Sequence, residues 1–287
     1  MIKLGNNDIT LKVGSTDVSA AYLGSTLVYS GGTPPTPSFD GKWLATYTGG
    51  TTSSAECDAS SAITSGEITL TDLVSVEIGD CVTSIGNNVF YYCESLTSID
   101  MSDSVTSIGE QTFYDCHSLS SVTISSGVTS IGNSAFYNCS GLTSMTIPSG
   151  VTSINEYAFR GCSSLTSVTI GNGVTSINAY AFRGCSSLTS VIIPSGVTSI
   201  GTSAFQNCTG LTSVTIGNGV TSIGSSAFRF CSSLTSITCL ATTPPTLSGK
   251  QWFNDTNDCP IYVPSASVSA YQSAWSTYAS RIQAIPQ

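Results

Sequence analysis

Apolar residues recur along this chain with a period of 23 residues. From 73 to 233 leucine, phenylalanine and cysteine hold the same positions in seven consecutive units. One such unit cannot bury its own apolar face, whereas stacked units can, so the pattern predicts a solenoid. The three series are Leu73, Leu96, Leu119, Leu142, Leu165, Leu188, Leu211 and Leu234; Phe90, Phe113, Phe136, Phe159, Phe182, Phe205 and Phe228; and Cys93, Cys116, Cys139, Cys162, Cys185, Cys208 and Cys231.

The unit from 142 to 162 shows the geometry expected of each coil. Met145 and Ile147 alternate with polar residues, which predicts a strand with one buried face. The Pro-Ser-Gly that follows predicts a turn, and residues 151–154 begin a second extended piece. Apolar residues over 158–162 stand at near-helical spacing, which favours a short helix or a turn on the far side. The fold class predicted is therefore a mainly β solenoid.

The segments outside the repeat divide the chain further. Three short units spaced by 9 and 10 residues near the N-terminus each predict a tight turn followed by a strand. A Gly-rich and Pro-rich stretch behind them predicts an extended linker, and solenoid ends need polar caps. The predicted parts are a small β module at 1–29, a linker at 30–38, an N-terminal cap at 39–72, the solenoid at 73–239 and a C-terminal cap at 240–287.

Each cap has its own apolar residues. In the C-terminal cap Ser265 is the expected N-cap of a helix, because Ser favours that position, and a spaced apolar stripe follows it. The apolar residues expected in the N-terminal cap are Trp43, Ile63, Ile68 and Leu70, and those of the C-terminal stripe are Val268, Tyr271, Trp275, Tyr278 and Ile282.

The repeat unit L-T-S-V-T-I-x-x-G-V-T-S-I-G-x-x-A-F-x-x-C resembles the BspA-like (Treponema-type) leucine-rich repeat over about 73–240. The resemblance implies a bacterial surface or adhesion-type protein that binds host or matrix proteins, and it brings no catalytic residues. The family's usual member carries a secretion signal, whereas this sequence has no apolar run behind a basic start. If Met1 is the native start, we expect the chain to remain in the cytoplasm unless something carries it out.

The N-terminal units, written L-G-S-T-x-V, resemble segments of virion proteins from phages of gut bacteria. A virion protein leaves its host by lysis and needs no secretion signal. This interpretation gives residues 1–29 the role of attaching to other virion proteins, with the solenoid displayed to the host surface. The main functional hypothesis is thus a phage tail-fibre, receptor-binding or decoration protein. The alternatives are a bacterial cell-surface adhesin and a purely structural spacer.

Charge excludes several classes of partner. The formal net charge is −9, and only 9% of residues are charged. Residues 1–115 hold 14 acids and 3 lysines, a net −11, and residues 116–287 hold 3 acids and 5 cations, a net +2. Nucleic-acid binding needs a basic field that this chain lacks. No segment approaches the ~18 apolar residues of a membrane span, so we expect no membrane insertion.

The repeated cysteines are interpreted as buried structural thiols. Parallel coils about 4.8 Å apart would point them the same way, whereas a disulfide needs converging Cβ atoms about 3.8 Å apart. The sequence has neither the Cys-x-x-Cys pair nor the histidine partner that would indicate a zinc site. We therefore expect no metal and no cofactor. The cysteines left as possible disulfide formers are Cys57, Cys81, Cys239 and Cys259.

Other candidate chemistry has an ordinary explanation. His117, the one histidine, stands where other units have serine, so no Ser–His–Asp arrangement can be assembled with confidence. The Gly217-Asn-Gly219 pattern recurs as a turn between extended pieces and does not open a helix, as a dinucleotide site requires. Asp100 and Asp103 would need four to six more oxygen ligands to hold calcium. The enzyme class is therefore not supported.

The best candidate binding surface is an outward row of tyrosine and arginine next to the phenylalanines. Both residue types are favoured at binding hot spots, and the expected ligand is a host surface protein or glycan. Serine and threonine on the first strand of each unit form a second, more uniform outward face. The candidate residues are Tyr91, Tyr114, Tyr137, Tyr157, Tyr180, Arg160, Arg183 and Arg229.

Overall fold

The structure, a computed structural model, describes residues 41–57 and 62–287, and nearer the N-terminus only the backbone of four short strands. These strands form two antiparallel pairs, in which Val13 pairs with Thr16 and Leu23 with Thr26. This is compatible with the predicted small β module, and the predicted linker at 30–38 lies outside the described residues. The strands are β1 (Lys12–Val13), β2 (Thr16–Asp17), β3 (Ala21–Leu23) and β4 (Thr26–Val28).

An antiparallel hairpin begins the main body. Its strands are β5 (Trp43–Tyr47) and β6 (Thr52–Ala55), followed by the short strand β7 (Ala62–Ile63). Trp43, Ile63 and Ile68 are buried, and Leu70 packs partly buried against the same core. A disulfide between Cys57 and Cys81 links the end of the hairpin segment to the first coil.

The solenoid has two strands in each coil because the apolar pattern has two extended pieces. The first strand is longer and the second has two residues. In chain order the strands are β8 (Leu73–Ile78), β9 (Ser84–Ile85), β10 (Ser98–Met101), β11 (Ser107–Ile108), β12 (Ser121–Thr123), β13 (Ser130–Ile131), β14 (Ser144–Ile147), β15 (Ser153–Ile154), β16 (Ser167–Ile170), β17 (Ser176–Ile177), β18 (Ser190–Ile193), β19 (Ser199–Ile200), β20 (Ser213–Ile216), β21 (Ser222–Ile223), β22 (Ser236–Cys239) and β23 (Thr246–Leu247).

Like strands of successive coils pair in parallel. Ser144 pairs with Ser167 and Ile147 with Ile170 in the first set, and Ile154 pairs with Ile177 in the second. Within the array the hairpin strand β5 is the exception, since it joins β8 antiparallel. The predicted mainly β solenoid with a leucine-rich repeat is confirmed.

The phenylalanines form one buried column along the axis. Successive rings stack with centroids 5.0–5.7 Å apart and planes within 15° of parallel. An eighth ring, Phe253, ends the column. The repeat count missed it because it stands 25 residues after Phe228, not 23. Offset-stacked aromatic pairs add to the free energy gained by burying the rings.

The phenylalanine side of each coil is a turn, not a helix. Three backbone hydrogen bonds join each such turn to the next coil, as when Ser134, Phe136 and Asn138 donate to the carbonyls of Glu156, Ala158 and Arg160. The backbone is left-handed two residues before the phenylalanine and again near two residues after it, with φ of 54° at Ser134 and 58° at Asn138. These turns form a third ladder of backbone hydrogen bonds.

The C-terminal segment closes the column. It contains β24 (Ile261–Val263), a 3-10 turn (Ser265–Ser267), helix α1 (Val268–Ala274), a 3-10 segment (Ser276–Arg281) and β25 (Ile282–Ala284). Trp275 and Tyr278 cover Phe253 at ring distances of 5.6 and 5.5 Å.

The helix differs from the one expected. Ser265 is not the expected N-cap: it is the first residue of the 3-10 turn, whose N-cap is Pro264, and helix α1 has Ser267 at its N-cap without a side-chain cap bond. Ile282 is buried in a strand that pairs in parallel with β24 instead of ending the helical stripe. No helix in the described part of the chain has the length and hydropathy needed for a membrane span.

Candidate binding surface

The predicted tyrosines stack on one another along the phenylalanine corner of the solenoid. The Tyr91 and Tyr114 rings lie 5.0 Å apart, and Tyr114 and Tyr137 lie 4.5 Å apart with planes at 2°. Tyr157 and Tyr180 form a second stack at 4.9 Å and 3°. Burial, followed by the nearby Tyr137 and Asp115, raises the pKa of Tyr114 to about 12. The Tyr114 hydroxyl is therefore protonated at neutral pH.

Arginine joins the two stacks into one. The Arg160 guanidinium carbon lies 5.3 Å from the centre of Tyr137 and 5.6 Å from the centre of Tyr157, and that of Arg183 lies 5.7 Å from the centre of Tyr180. Each arrangement is within the range of a cation–π interaction. We call the resulting row the tyrosine–arginine ladder; its members are Tyr91, Tyr114, Tyr137, Arg160, Tyr157, Tyr180 and Arg183.

Arg229, the last candidate residue, stands apart from the ladder. Gln206 occupies the intervening coil, and Arg229 packs over the Phe230 ring at 4.3 Å, with its Nε 3.6 Å from an Asp255 carboxylate oxygen. The structure thus brings seven of the eight predicted residues together and separates Arg229 from them.

Tyr92 is an exposed aromatic that the repeat pattern did not select. Its ring is 52% exposed and packs edge-on against Tyr91 at 4.6 Å. Its φ is 58°, at a position where Phe230 is the other aromatic, with φ of 63°, and where the remaining coils have Asp, Asn or Gly. A bulky residue in this conformation is strained by about 1–3 kcal/mol. The sequence signal was available, since tyrosine replaces small polar residues there.

The same left-handed backbone occurs under the second stack. Tyr157 and Tyr180 have φ of 58° and 60°, where other coils have Asn88, Gln111 or Ser134. The chain therefore holds aromatic rings at positions that favour small residues. Backbone strain of this kind collects at functional sites.

A small polar network lies under the N-terminal end of the ladder. The Asn138 Nδ2 donates to Asp115 at 2.6 Å, and His117 Nε2 lies 3.8 Å from the same carboxylate. His117 Nδ1 is 3.1 Å from the Asn138 carbonyl oxygen, and its side chain is exposed. Electrostatic repulsion from the ionisable Tyr91, followed by burial and the Asp115 carboxylate, raises the pKa of Tyr92.

The serine and threonine face of the first strands is polar throughout except at one residue. Ile192 replaces a threonine there and is 70% exposed. At the acidic end, Glu77 pairs with Asp100 across adjacent strands, beside a shallow depression of about 390 Å³ that the hairpin residue Leu44 also lines. Burial and the Asp100 carboxylate raise the pKa of Glu77.

The repeated thiols are buried in the core and donate hydrogen bonds to backbone carbonyls. The thiol of Cys139 donates to the Phe113 carbonyl at 3.0 Å, and the same bond, 26 residues back, recurs from Cys116 to Cys231 at 3.0–3.2 Å. Of the four cysteines left open, Cys57 and Cys81 are bonded to each other, and Cys239 and Cys259 are buried free thiols. Among the described residues no three His, Cys, Asp or Glu side chains are grouped as metal ligands.

The repeat matches one known family. The profile of the BspA type leucine rich repeat region matches six copies over residues 62–172 and 152–277. The chain belongs to this family. The match extends beyond residues 73–239, the range predicted for the solenoid. It also includes strand β7 on the N-terminal side and helix α1 on the C-terminal side. The search of curated proteins gave no match.

Several solved structures are similar to this BspA-type chain. A leucine rich cell surface protein of Faecalibacterium prausnitzii is 23% identical, with 89% of this chain and 96% of that protein covered and a TM-score of 0.49. The leucine rich repeat protein of T. pallidum is 22% identical, with 74% and 87% covered and a TM-score of 0.47. One from Bacteroides ovatus is 20% identical, with 85% and 90% covered and a TM-score of 0.38.

The virion interpretation gains no support from these comparisons. It rests on residues 1–29, of which the structure describes only the backbone of four short strands. The family match instead favours the alternative, a BspA-like adhesin of the bacterial cell surface.

Proposed function

We propose that this chain is a non-enzymatic binding protein of a bacterial cell surface, and that the tyrosine–arginine ladder is its contact surface for a host surface protein or glycan. The ladder is the single observation that carries the proposal. It concentrates in one continuous row the two residue types favoured at binding hot spots. Other coils have Asn, Gln or Ser at the left-handed positions of Tyr157 and Tyr180, so the fold itself does not require an aromatic ring there.

The disulfide supports the proposed location. Cys57 and Cys81 are bonded, and disulfides persist mainly in oxidising surroundings outside the cytoplasm. Intact cells of a bacterium that carries the gene should be labelled by an antibody against this protein. Labelling found on purified phage particles and not on cells would contradict the proposed location.

Bead adhesion tests the contact surface. Beads coated with the full chain should attach to cultured epithelial cells more than bare beads do. The double variant Tyr114→Ser and Tyr137→Ser should lose most of this attachment, because it interrupts the ladder at two adjacent rings. The matched control, Thr146→Ala and Thr169→Ala, changes paired exposed residues of adjacent coils on the serine and threonine face of the first strands and should attach normally.

Comparison of the tyrosine and threonine variants shows which surface attaches to the cells. Loss of attachment in the threonine variant alone would move the contact surface to the strand face. Attachment no greater than that of bare beads would overturn the adhesion role. Far-ultraviolet circular dichroism of each variant separates loss of attachment from loss of fold.

A further inference from the structure

Arg160 and Arg183 differ from the other two arginines in their charged neighbours. In the ranges that the structure describes, no carboxylate oxygen lies within 4.0 Å of either guanidinium, whereas Arg229 and Arg281 have Asp255 and Asp258 at 3.6 and 3.8 Å. Glu156 is the acid of the same coil as Arg160, and it is exposed and also beyond that distance. The C-terminal part of the ladder therefore carries two cations that form no ion pair with a described carboxylate, on a chain that is acidic as a whole.

The two cations occupy equivalent positions in adjacent coils. Parallel coils are about 4.8 Å apart, so two like charges are held close together. The rings of Tyr137, Tyr157 and Tyr180 fix where the guanidiniums lie. An anionic group placed between or along them would relieve the repulsion, and planar guanidiniums suit sulfate and carboxylate oxygens.

The shape of the ladder selects a linear ligand. It is one to two side chains wide and runs along the axis over five coils, from Tyr91 to Arg183, which is about 19 Å at strand spacing. Such a strip matches a single extended polymer chain better than the broad patch of ~800 Å² that a protein partner covers.

An extended peptide fits the ladder less well than a sugar chain. A peptide adds to a free strand edge or inserts side chains into a groove. The backbone groups at this corner already bond from coil to coil, as from Ser134 to Glu156 and from Asn138 to Arg160. The faces of the ladder rings are already taken up by stacking on one another at centroid distances of 4.5–5.0 Å. Hydroxyl and guanidinium donors remain as the outward chemistry.

We propose that the ligand of the tyrosine–arginine ladder is an acidic polysaccharide, with Arg160 and Arg183 binding neighbouring sulfate or carboxylate groups. This inference rests on the proposed function and names the class of ligand. Tyrosine hydroxyls beside the arginines supply further donors to the sugar.

Binding of the full chain to immobilised dextran sulfate tests the inference. Wild-type protein should bind dextran sulfate and not uncharged dextran, with affinity that falls as salt is raised. The double variant Arg160→Gln and Arg183→Gln should bind at least about tenfold more weakly, since charged hydrogen bonds are lost. The matched control Lys250→Gln removes an exposed cation outside the ladder and should change affinity less than about twofold.

A lysine variant and an acidic peptide distinguish a guanidinium site for polysaccharide from diffuse charge attraction and from a peptide site. The variant Arg160→Lys and Arg183→Lys keeps the charge without the planar guanidinium and should bind with intermediate affinity. Equal weakening by Lys250→Gln would show diffuse charge attraction and overturn the proposal. Stronger binding to poly-L-glutamate than to dextran sulfate would show an acidic peptide site and also overturn it. Coated beads that attach to cells through the ladder while the protein ignores dextran sulfate would overturn this inference alone.

Discussion

The Arg160 guanidinium lies 5.3 Å from the Tyr137 ring, at the position that Tyr91, Tyr114 and Tyr137 occupy in the three preceding coils. A planar cation thus continues a stack of planar rings. On its other side it meets Tyr157, which begins the second stack. One arginine therefore makes two separate tyrosine stacks continuous.

The first prediction concerns this position. Arg160→Ala should lower the free energy of unfolding by about 0.5–1 kcal/mol because the contacts to two rings are lost. Arg160→Tyr should be nearly neutral, since a ring would extend the first stack. Urea unfolding of both variants measures this, with Arg183→Ala as the comparison, because Arg183 contacts one ring. An equal loss in Arg160→Tyr would show that ring stacking does not replace the cation.

The phenylalanine column should be the most sensitive part of the core. Phe159 is fully buried between Phe136 and Phe182, so Phe159→Ala should cost about 3–5 kcal/mol through the cavity it leaves. Phe159→Leu fills most of the space and should cost less. Thermal unfolding measures both. A melting temperature unchanged in Phe159→Ala would contradict the buried column.

The thiols provide a prediction that also tests the disulfide. Burial raises the pKa of Cys162 to about 12, so at pH 8 only about one molecule in 10⁴ carries the thiolate. The folded protein should react with Ellman's reagent slowly or not at all. After denaturation without reductant nine thiols should react, because Cys57 and Cys81 are paired. Eleven reactive thiols under those conditions would show that the disulfide is absent.

The sequence predicted the solenoid because each coil repeats one strong period. It predicted all seven ladder residues for the same reason, since each tyrosine or arginine stands one residue after or two residues before a phenylalanine. It missed Tyr92, whose exposure depends on a left-handed turn that the apolar pattern does not encode. It placed Ile282 in a helix because its spacing fits one, whereas pairing with β24 makes it a strand. Phe253 was missed because two extra residues break the period.

The Tyr92 side chain should not be needed for the stability of the fold. Tyr92→Asn places at this left-handed position a residue type that Asn138 already provides in another coil. The variant should therefore be as stable as wild type or more stable by up to about 1 kcal/mol if the strain relieved exceeds the loss of the ring contacts with Tyr91 and Tyr114 and of the hydrogen bond with Asp115. Tyr91→Asn is the control, and it should be destabilising because it ends the stack with Tyr114. Urea unfolding of both proteins gives the comparison.

Glu77 should make stability fall as pH rises. Burial, followed by the Asp100 carboxylate on the next strand, raises its pKa, so the folded state holds this proton more tightly than the unfolded state does. The resulting stabilisation is complete below the unfolded pKa of 4.5 and is lost as pH rises through the higher folded value. Glu77→Gln should remove this loss and raise the free energy of unfolding at pH 7 by roughly 0.2–1 kcal/mol, the range for like charges facing across strands. Urea unfolding at pH 4 and pH 7 measures the difference. The control is Glu94→Gln, which removes an exposed acid near Tyr92 at the phenylalanine corner. It corrects for the general repulsion among the acids of the N-terminal half. If the two variants gain equally at pH 7, the effect belongs to that general repulsion and not to the pair of Glu77 and Asp100.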